Sequence, residues 1–218
     1  MNWGNLPVPA HPLEWSADAD ERLRRWLERL LETPGLTAVR DPVEAKRVHL
    51  EDSLSALELV RSIPGAIVDV GSGGGAPGIP IAAALPEREV TLLEATRWKC
   101  EFLEEVAREF SNVRVVHGRA EEQEVDRFGV ALAKALAPPV VAAEWCLPLV
   151  APGGAAILFA GDANGGLAAA AERLAAAAPE VHEVAAAERR RLVVLRKLGP
   201  TPAGFPRRSG VARKRPLA

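Results

Sequence analysis

The spacing of apolar positions along this chain changes near residue 65. Before it, they recur three and four apart. Leu23, Trp26, Leu27, Leu30 and Leu31 form one face of a helix that Ser16 or Asp18 can cap and Thr33-Pro34-Gly35 ends. Asp41-Pro42 is a cap followed by proline at the first helical position, and predicts a second helix to about Val48. Asp52 or Ser53 is placed to cap a third, carrying Leu54, Leu57, Leu59 and Val60 and closed by Ile63-Pro64-Gly65. Three short helices cannot enclose a core, so they are expected to pack on one side of a larger unit built by the rest of the chain.

From Ile67 onward, short apolar runs alternate with helical stripes. Strands are predicted at 67–70, 90–94, 113–117, 129–134 and 155–160, with helices at about 78–85, 97–109 and 138–146 between them. Phe102, Leu103, Val106 and Phe110 share a face of the second of these helices. Pro152-Gly153-Gly154 reads as a turn before strand 155–160. The alanine-rich stretch 166–178 reads as helix, because alanine favours helix and Leu167 and Leu174 stand one heptad apart. Two strands near 181–186 and 191–197 close the series. Such alternation predicts an α/β fold: a mostly parallel sheet of seven strands with right-handed crossovers and an antiparallel edge. The expected layout is a helical extension over 1–65, an α/β domain over 66–198 and an extended basic arm over 199–218 that holds four prolines. Residues 1–15 read as irregular.

The first strand carries the clearest chemical signal. Ile67-Val68-Asp69-Val70 runs into Gly71-Ser72-Gly73-Gly74-Gly75-Ala76-Pro77-Gly78, five glycines in eight residues. Glycine lets the backbone turn sharply and approach a ligand closely, and the helix after it offers free N–H groups. Gly71, Gly73 and Ala76 satisfy the dinucleotide pattern G-x-G-x-x-[GA]. Asp69, Gly71, Gly73 and Gly75 equally satisfy D-x-G-x-G-x-G, the S-adenosylmethionine (SAM) pattern of class I methyltransferases. Glu94, at the end of the next strand, can hold a ribose diol in either case. A tight strand-to-helix turn with no ligand is the third reading. In open α/β sheets ligands sit outside the carboxyl ends of the strands, which here are Gly71–Ala76, Glu94-Ala95, His117–Glu121 and Lys134.

Charge adds a partner class. The net charge of −2 hides ten positive side chains and no acid after Glu188, against 17 basic and 29 acidic side chains before it. A basic tail on an acidic body suits a polyanion such as RNA or DNA, or serves solubility alone. Apolar runs fall short of the ~20 residues a membrane span needs, and the basic start of a secretory leader is missing. Cys100 and Cys146 lack metal spacing and read as ordinary core residues in a reducing cytoplasm.

The sequence resembles the small-subunit ribosomal RNA guanine-N7 methyltransferases known as RsmG or GidB. The resemblance rests on His49 with Asp52-Ser53-Leu54; Val68 to Gly73 with Pro77-Gly78-Ile79-Pro80; Leu92-Leu93-Glu94-Ala95; Gly118-Arg119-Ala120-Glu121; Ala133 to Ala137; Trp145 to Leu149 with Gly153-Gly154; and Phe205 to Gly210 with Pro216-Leu217. It implies a class I SAM-dependent methyltransferase fold, Rossmann-like, acting as a cytoplasmic monomer on N7 of one guanine in 16S rRNA of the small ribosomal subunit. It implies a SAM pocket lined by Gly71, Ala76, Ala120, Glu121 and Lys134, with Glu94 and Ala95 at the ribose; the glycine loop and the strand ends add Ser72, Gly73, Gly75 and Arg119 to the expected cofactor site. Lys134 and Arg190 are expected closest to methyl transfer, with His49, Arg207, Arg208 and Arg213 toward the RNA. No metal is called for.

His49 and Asp52, three apart, also fit a simple local hydrogen bond and cap. The chain departs from the family at Lys134, usually arginine; at Ala76, usually large; and at Trp98 and Ala160, usually lysine. The loop Ala137-Pro138-Pro139-Val140 lacks the polar and aromatic ends that adenine-N6 chemistry uses, and Cys146 follows Trp145 in a helix rather than proline in a loop, which argues against cytosine-C5 chemistry. Two other functions remain open: a nicotinamide-dependent oxidoreductase, for which no substrate domain is visible, and an RNA-binding relative without catalysis.

Overall fold

The computed structural model describes residues 17–160, 166–184 and 191–217. Ala17–Glu32 forms α1, with Leu23, Trp26, Leu27 and Leu30 buried along its inner face, as its periodicity predicts. Pro42–Ala45 (α2) is capped by Asp41, whose side chain accepts from the Glu44 N–H at 2.9 Å. The predicted break between the second and third helices is absent. The chain passes from α2 through a π-helical turn, Lys46–Glu51, straight into Asp52–Leu54 (α3), and Leu57–Arg61 forms α4. Asp52 is therefore not a cap; it is buried inside a continuous helical passage.

The α/β part comes next as β1 (Ile67–Val70), α5 (Gly78–Ala84), β2 (Val90–Glu94), α6 (Arg97–Ala107), β3 (Val113–His117), β4 (Phe128–Lys134), α7 (Pro139–Cys146), β5 (Val150–Ala160), α8 (Leu167–Arg173), β6 (Glu180–Glu183) and β7 (Arg191–Arg196). A four-residue helix, α9 (Val211–Lys214), lies in the C-terminal segment. The described strands form one seven-stranded sheet in the order β3-β2-β1-β4-β5-β7-β6. The pairs up to β4–β5 are parallel; β5–β7 and β6–β7 are antiparallel.

The strands read as continuous apolar runs because both faces are covered. Ile67, Val130, Leu132, Ile157 and Val194 point to a core shared with α1, α4, α5 and α6. Val68, Val70, Ala131, Ala133, Leu158 and Val193 point to the opposite core, shared with α7 and α8. The N-terminal helices thus do cover one face of the sheet.

Two boundaries depart most from expectation. β5 starts at Val150, and Pro152-Gly153-Gly154 lies inside the strand rather than before it. Register slips there, from Phe128↔Val150 to Val130↔Ala155, so the extra residues bulge out where proline is tolerated. Helix α8 ends early, at Arg173, because Ala175 takes a positive φ and Ala176 bridges to Lys197 at the end of β7. The C-terminal segment, expected to extend from the body, folds back on α7 and buries Ala212 and Leu217.

Candidate active site

The sheet order reverses direction between β1 and β4, which makes the carboxyl ends of those strands the crevice where a ligand fits. The glycine loop leaves β1 there. Gly71, Gly73 and Gly75 all take positive φ, at 72°, 56° and 101°, a region side chains rarely adopt. A Cβ on Gly71 would also stand 2.3 Å from Leu136 Cδ1. Hydrogen bonds from three directions fix the loop. Gly71 N–H donates to Leu93 O at 2.7 Å, Trp26 Nε1–H donates to Gly74 O at 2.8 Å, and Gly73 N–H donates to Glu94 Oε2 at 2.9 Å. The other Glu94 oxygen accepts from Thr96 N–H at 2.8 Å. Glu94 therefore ties the loop of β1 to the end of β2, so the loop's shape depends on an acid 21 residues away.

Asp69 lies beneath the loop and is fully buried. Its Oδ2 accepts from Gly78 N–H at 3.0 Å at the start of α5. Burial pushes its carboxyl up to about 7, against the pull of the Gly78 and Ser72 hydrogen bonds and of Lys134. Within the sequence pattern, Asp69 is a strut under the loop rather than a surface that a ligand meets.

Above the loop is a cavity of about 520 Å³, within the range of small-molecule sites. It gathers Gly71, Ser72, Gly73, Ala76, Glu94, Ala95, Arg119, Ala120, Glu121 and Lys134 from four strand ends, and adds His49 and Arg213. Gly75 is buried below the wall, where a Cβ would meet Ile79 and Trp26. Arg190 lies outside the described residues. Arg208 is exposed on the C-terminal segment and does not line the cavity. Arg207, expected at RNA, instead makes a two-point ion pair with Glu144 of α7, which is 2% exposed. That pair raises the Arg207 guanidinium above its ordinary range, and it anchors the segment.

Lys134 and His49 form the wall beside the switch point. Lys134 Nζ donates to Val48 O at 2.7 Å and pairs with Asp52 Oδ2 at 3.2 Å, with both side chains under a tenth exposed. This contact explains why Asp52 continues the helix: its carboxylate meets the cation at the end of β4 instead of capping a new helix. It also explains why the π-turn is anchored at its Val48 carbonyl. His49, on that turn, has its Nε2 2.9 Å from the Thr37 hydroxyl. Burial, then the nearby Lys134 charge, lowers its imidazole to about 4, so it is neutral at neutral pH.

A second, smaller recess of about 240 Å³ shares Ala135 and Leu136 with the cavity and is otherwise walled by Ala133, Ala137, Pro139, Ala142, Leu158, Phe159 and Ala160. Trp98 is 43% exposed at the start of α6, with Lys99 Nζ 5.7 Å from its ring centroid. Sequence reasoning missed the contributions of Leu30, Leu36, Lys99, Trp145 and Gly210 to the cavity wall. Leu30 was legible only as a core position of α1, and Gly210 only as the end of the Phe205–Gly210 motif, with no place at the cofactor.

The chain is similar to known proteins. Residues 20–193 match the family described as rRNA small subunit methyltransferase G (GidB). The chain is 40% identical to ribosomal RNA small subunit methyltransferase G of Synechococcus elongatus, over 84% of this chain and 82% of that protein. It is 36% identical to the protein of that name in Chloroflexus aggregans, over 99% of this chain and 94% of its relative. Among solved structures, the T. thermophilus 16S rRNA N2 methyltransferase RsmC, in complex with AdoMet and guanosine, superposes with a TM-score of 0.53. That match has 18% identity and covers 78% of this chain and 42% of that one, a likeness of fold.

Proposed function

This chain belongs to the rRNA small subunit methyltransferase G family, and we propose that it transfers the methyl group of SAM to N7 of a guanine in small-subunit rRNA. The observation that carries the reading is the pairing of Gly73 N–H with Glu94 at the mouth of the switch-point cavity. It couples a backbone cradle at one strand end to a carboxylate that suits a ribose diol at the next. The cavity volume and the open space above Gly73, where a Cβ would find only Gly71 O at 3.9 Å, fit a nucleoside cofactor. In this reading Gly71–Ala76 hold the amino-acid portion of the cofactor, Glu94 and Ala95 meet its ribose, and Ala120 and Glu121 meet its base.

SAM supplies a methyl group already made electrophilic by its sulfonium. Guanine N7 offers a lone pair and carries no proton, so the chain's residues need not abstract one. Their task is alignment and exclusion of water. Methylation at N7 moves a positive charge onto the purine, so nearby uncompensated cations would oppose it. The wall suits this requirement: the Lys134 charge is balanced by Asp52, and His49 is neutral. The recess behind Leu136, walled mainly by alanine, leucine, proline and phenylalanine side chains, lies next to that wall. The exposed cations Arg208, Lys214 and Arg215 suit a phosphate backbone.

Titration calorimetry with SAM, S-adenosylhomocysteine (SAH) and NAD(H) tests the cofactor. The proposal expects the first two to bind and the third not to. Tight binding of NAD(H) without SAM would turn the reading to an oxidoreductase.

A further inference from the structure

The C-terminal segment, expected as an extended basic arm toward RNA, reaches the cofactor cavity. Gly210 and Arg213 line the cavity. Gly210 N–H donates to Glu121 Oε1 at 3.2 Å, so the segment fixes the side chain that follows β3. Arg213 lays its guanidinium over the Trp145 ring, 5.1 Å from the centroid, and Trp145 lines the same end of the cavity. The segment is firmly seated. Arg207 grips Glu144 and also donates to Arg215 O at 2.8 Å, while Arg173 donates to Leu217 O at 3.1 Å. A buried anchor at each end thus brackets the residues that face the cavity.

A further observation points to a ligand at this end. Among the described residues the indole Nε1–H of Trp145 is buried and finds no acceptor, and the residue, 8% exposed, borders the cavity. Buried donors are nearly always paired, and an unpaired one on a residue that lines a cavity is a place where an acceptor from outside the chain would be favoured. Purine rings are rich in ring-nitrogen acceptors, and a planar guanidinium stacks on aromatic faces, a nucleobase as readily as an indole.

We propose that residues Gly210–Arg213 form the closing wall of the cofactor site, with Arg213 and Trp145 meeting the base of the bound nucleoside. The inference rests on the reading of the cavity as a SAM site. It divides the basic tail into three roles: Arg207 anchors, Arg213 binds cofactor, and Arg208, Lys214 and Arg215 are left for a polyanion.

The test measures SAH and adenosine affinity by calorimetry for wild type, Arg213→Ala, Arg213→Lys and the double variant Lys214→Ala/Arg215→Ala. Thermal melts check folding, and a salt titration of binding to naked small-subunit rRNA is run on each protein. Arg213→Ala should weaken SAH and adenosine by the same factor, tenfold or more, because adenosine carries the part that the segment meets. Arg213→Lys, which keeps charge but not the planar stack, should recover only part of this. The double variant should keep wild-type SAH affinity and lose rRNA affinity. Wild-type SAH affinity in Arg213→Ala, with rRNA binding lost instead, would overturn the inference and return Arg213 to the RNA surface. A wild-type protein that binds neither SAM nor SAH would overturn the underlying cofactor reading, and that outcome is visible before any variant is made.

Discussion

Replacing Glu94 with alanine separates the loop's architecture from its chemistry. Glu94 is 7% exposed, and its two oxygens accept from Gly73 N–H and Thr96 N–H. The donor residues are half-buried, so water can reach them in part, and each lost bond is placed at the low end of the usual range, about 1 kcal/mol. Two such losses give about 2 kcal/mol, or a fall in melting temperature of roughly 4–8 °C for a chain of this size. Binding should suffer separately. If the same carboxylate accepts from a ribose diol, its removal leaves those hydroxyls unpaired, at about 1–3 kcal/mol, roughly 5- to 150-fold in affinity. Glu94→Gln keeps one acceptor oxygen and should fall between. Calorimetry with SAH, alongside thermal melts, reads both quantities. A melting temperature that drops as expected with SAH affinity unchanged within twofold would refute the role of Glu94 at the ligand and leave it purely structural. An unchanged melting temperature would refute the claim that it organises the loop.

The same geometry makes further outcomes measurable. Lys134→Met removes the cation from beside a buried carboxylate and should cost about 3–5 kcal/mol; Lys134→Met/Asp52→Asn should recover most of that in a thermal melt while methyl transfer stays low, and no recovery would mean that the pair is not the anchor of the π-turn. Asp69, raised to about 7 in the fold, holds its proton there while the unfolded chain has lost its own, so stability should fall as pH rises from about 4 to 7. Asp69→Asn should flatten that stretch of the pH–stability curve, and an equally steep curve in the variant would assign the slope elsewhere. A Cβ on Gly129 would stand 1.9 Å from Pro64 O, so Gly129→Ala should destabilise by about 1–3 kcal/mol or more, measured by denaturant unfolding; wild-type stability would show that β4 does not pack backbone to backbone on the Pro64-Gly65 turn.

The sheet was legible because its strands are buried on both faces and bounded by glycine and proline. Ile67–Val70 and Val90–Glu94 appear in the structure at their predicted bounds for this reason. The glycine loop and Glu94 were legible because the chemistry of a nucleoside site lies in a local pattern at two strand ends. What local reading missed depends on partners distant in sequence. Asp52 looks like a cap until Lys134 is brought beside it. The C-terminal segment looks like a free basic arm until Arg207 meets Glu144, 63 residues earlier, and Leu217 finds a core. The start of β5 was misplaced because Pro152-Gly153-Gly154 punctuates a bulge as it would a turn. Arg190, expected near methyl transfer, lies outside the described residues.

The most direct test of the central claim uses small ribosomal subunits, and naked rRNA from them, taken from a strain that lacks this gene. With purified protein and labelled SAM, the account predicts incorporation of one methyl group at a guanine N7, read as a strand break after reduction of the modified base. Strong RNA binding with no methyl incorporated on any assembly state of the subunit, or label at a position other than a guanine N7, would contradict it.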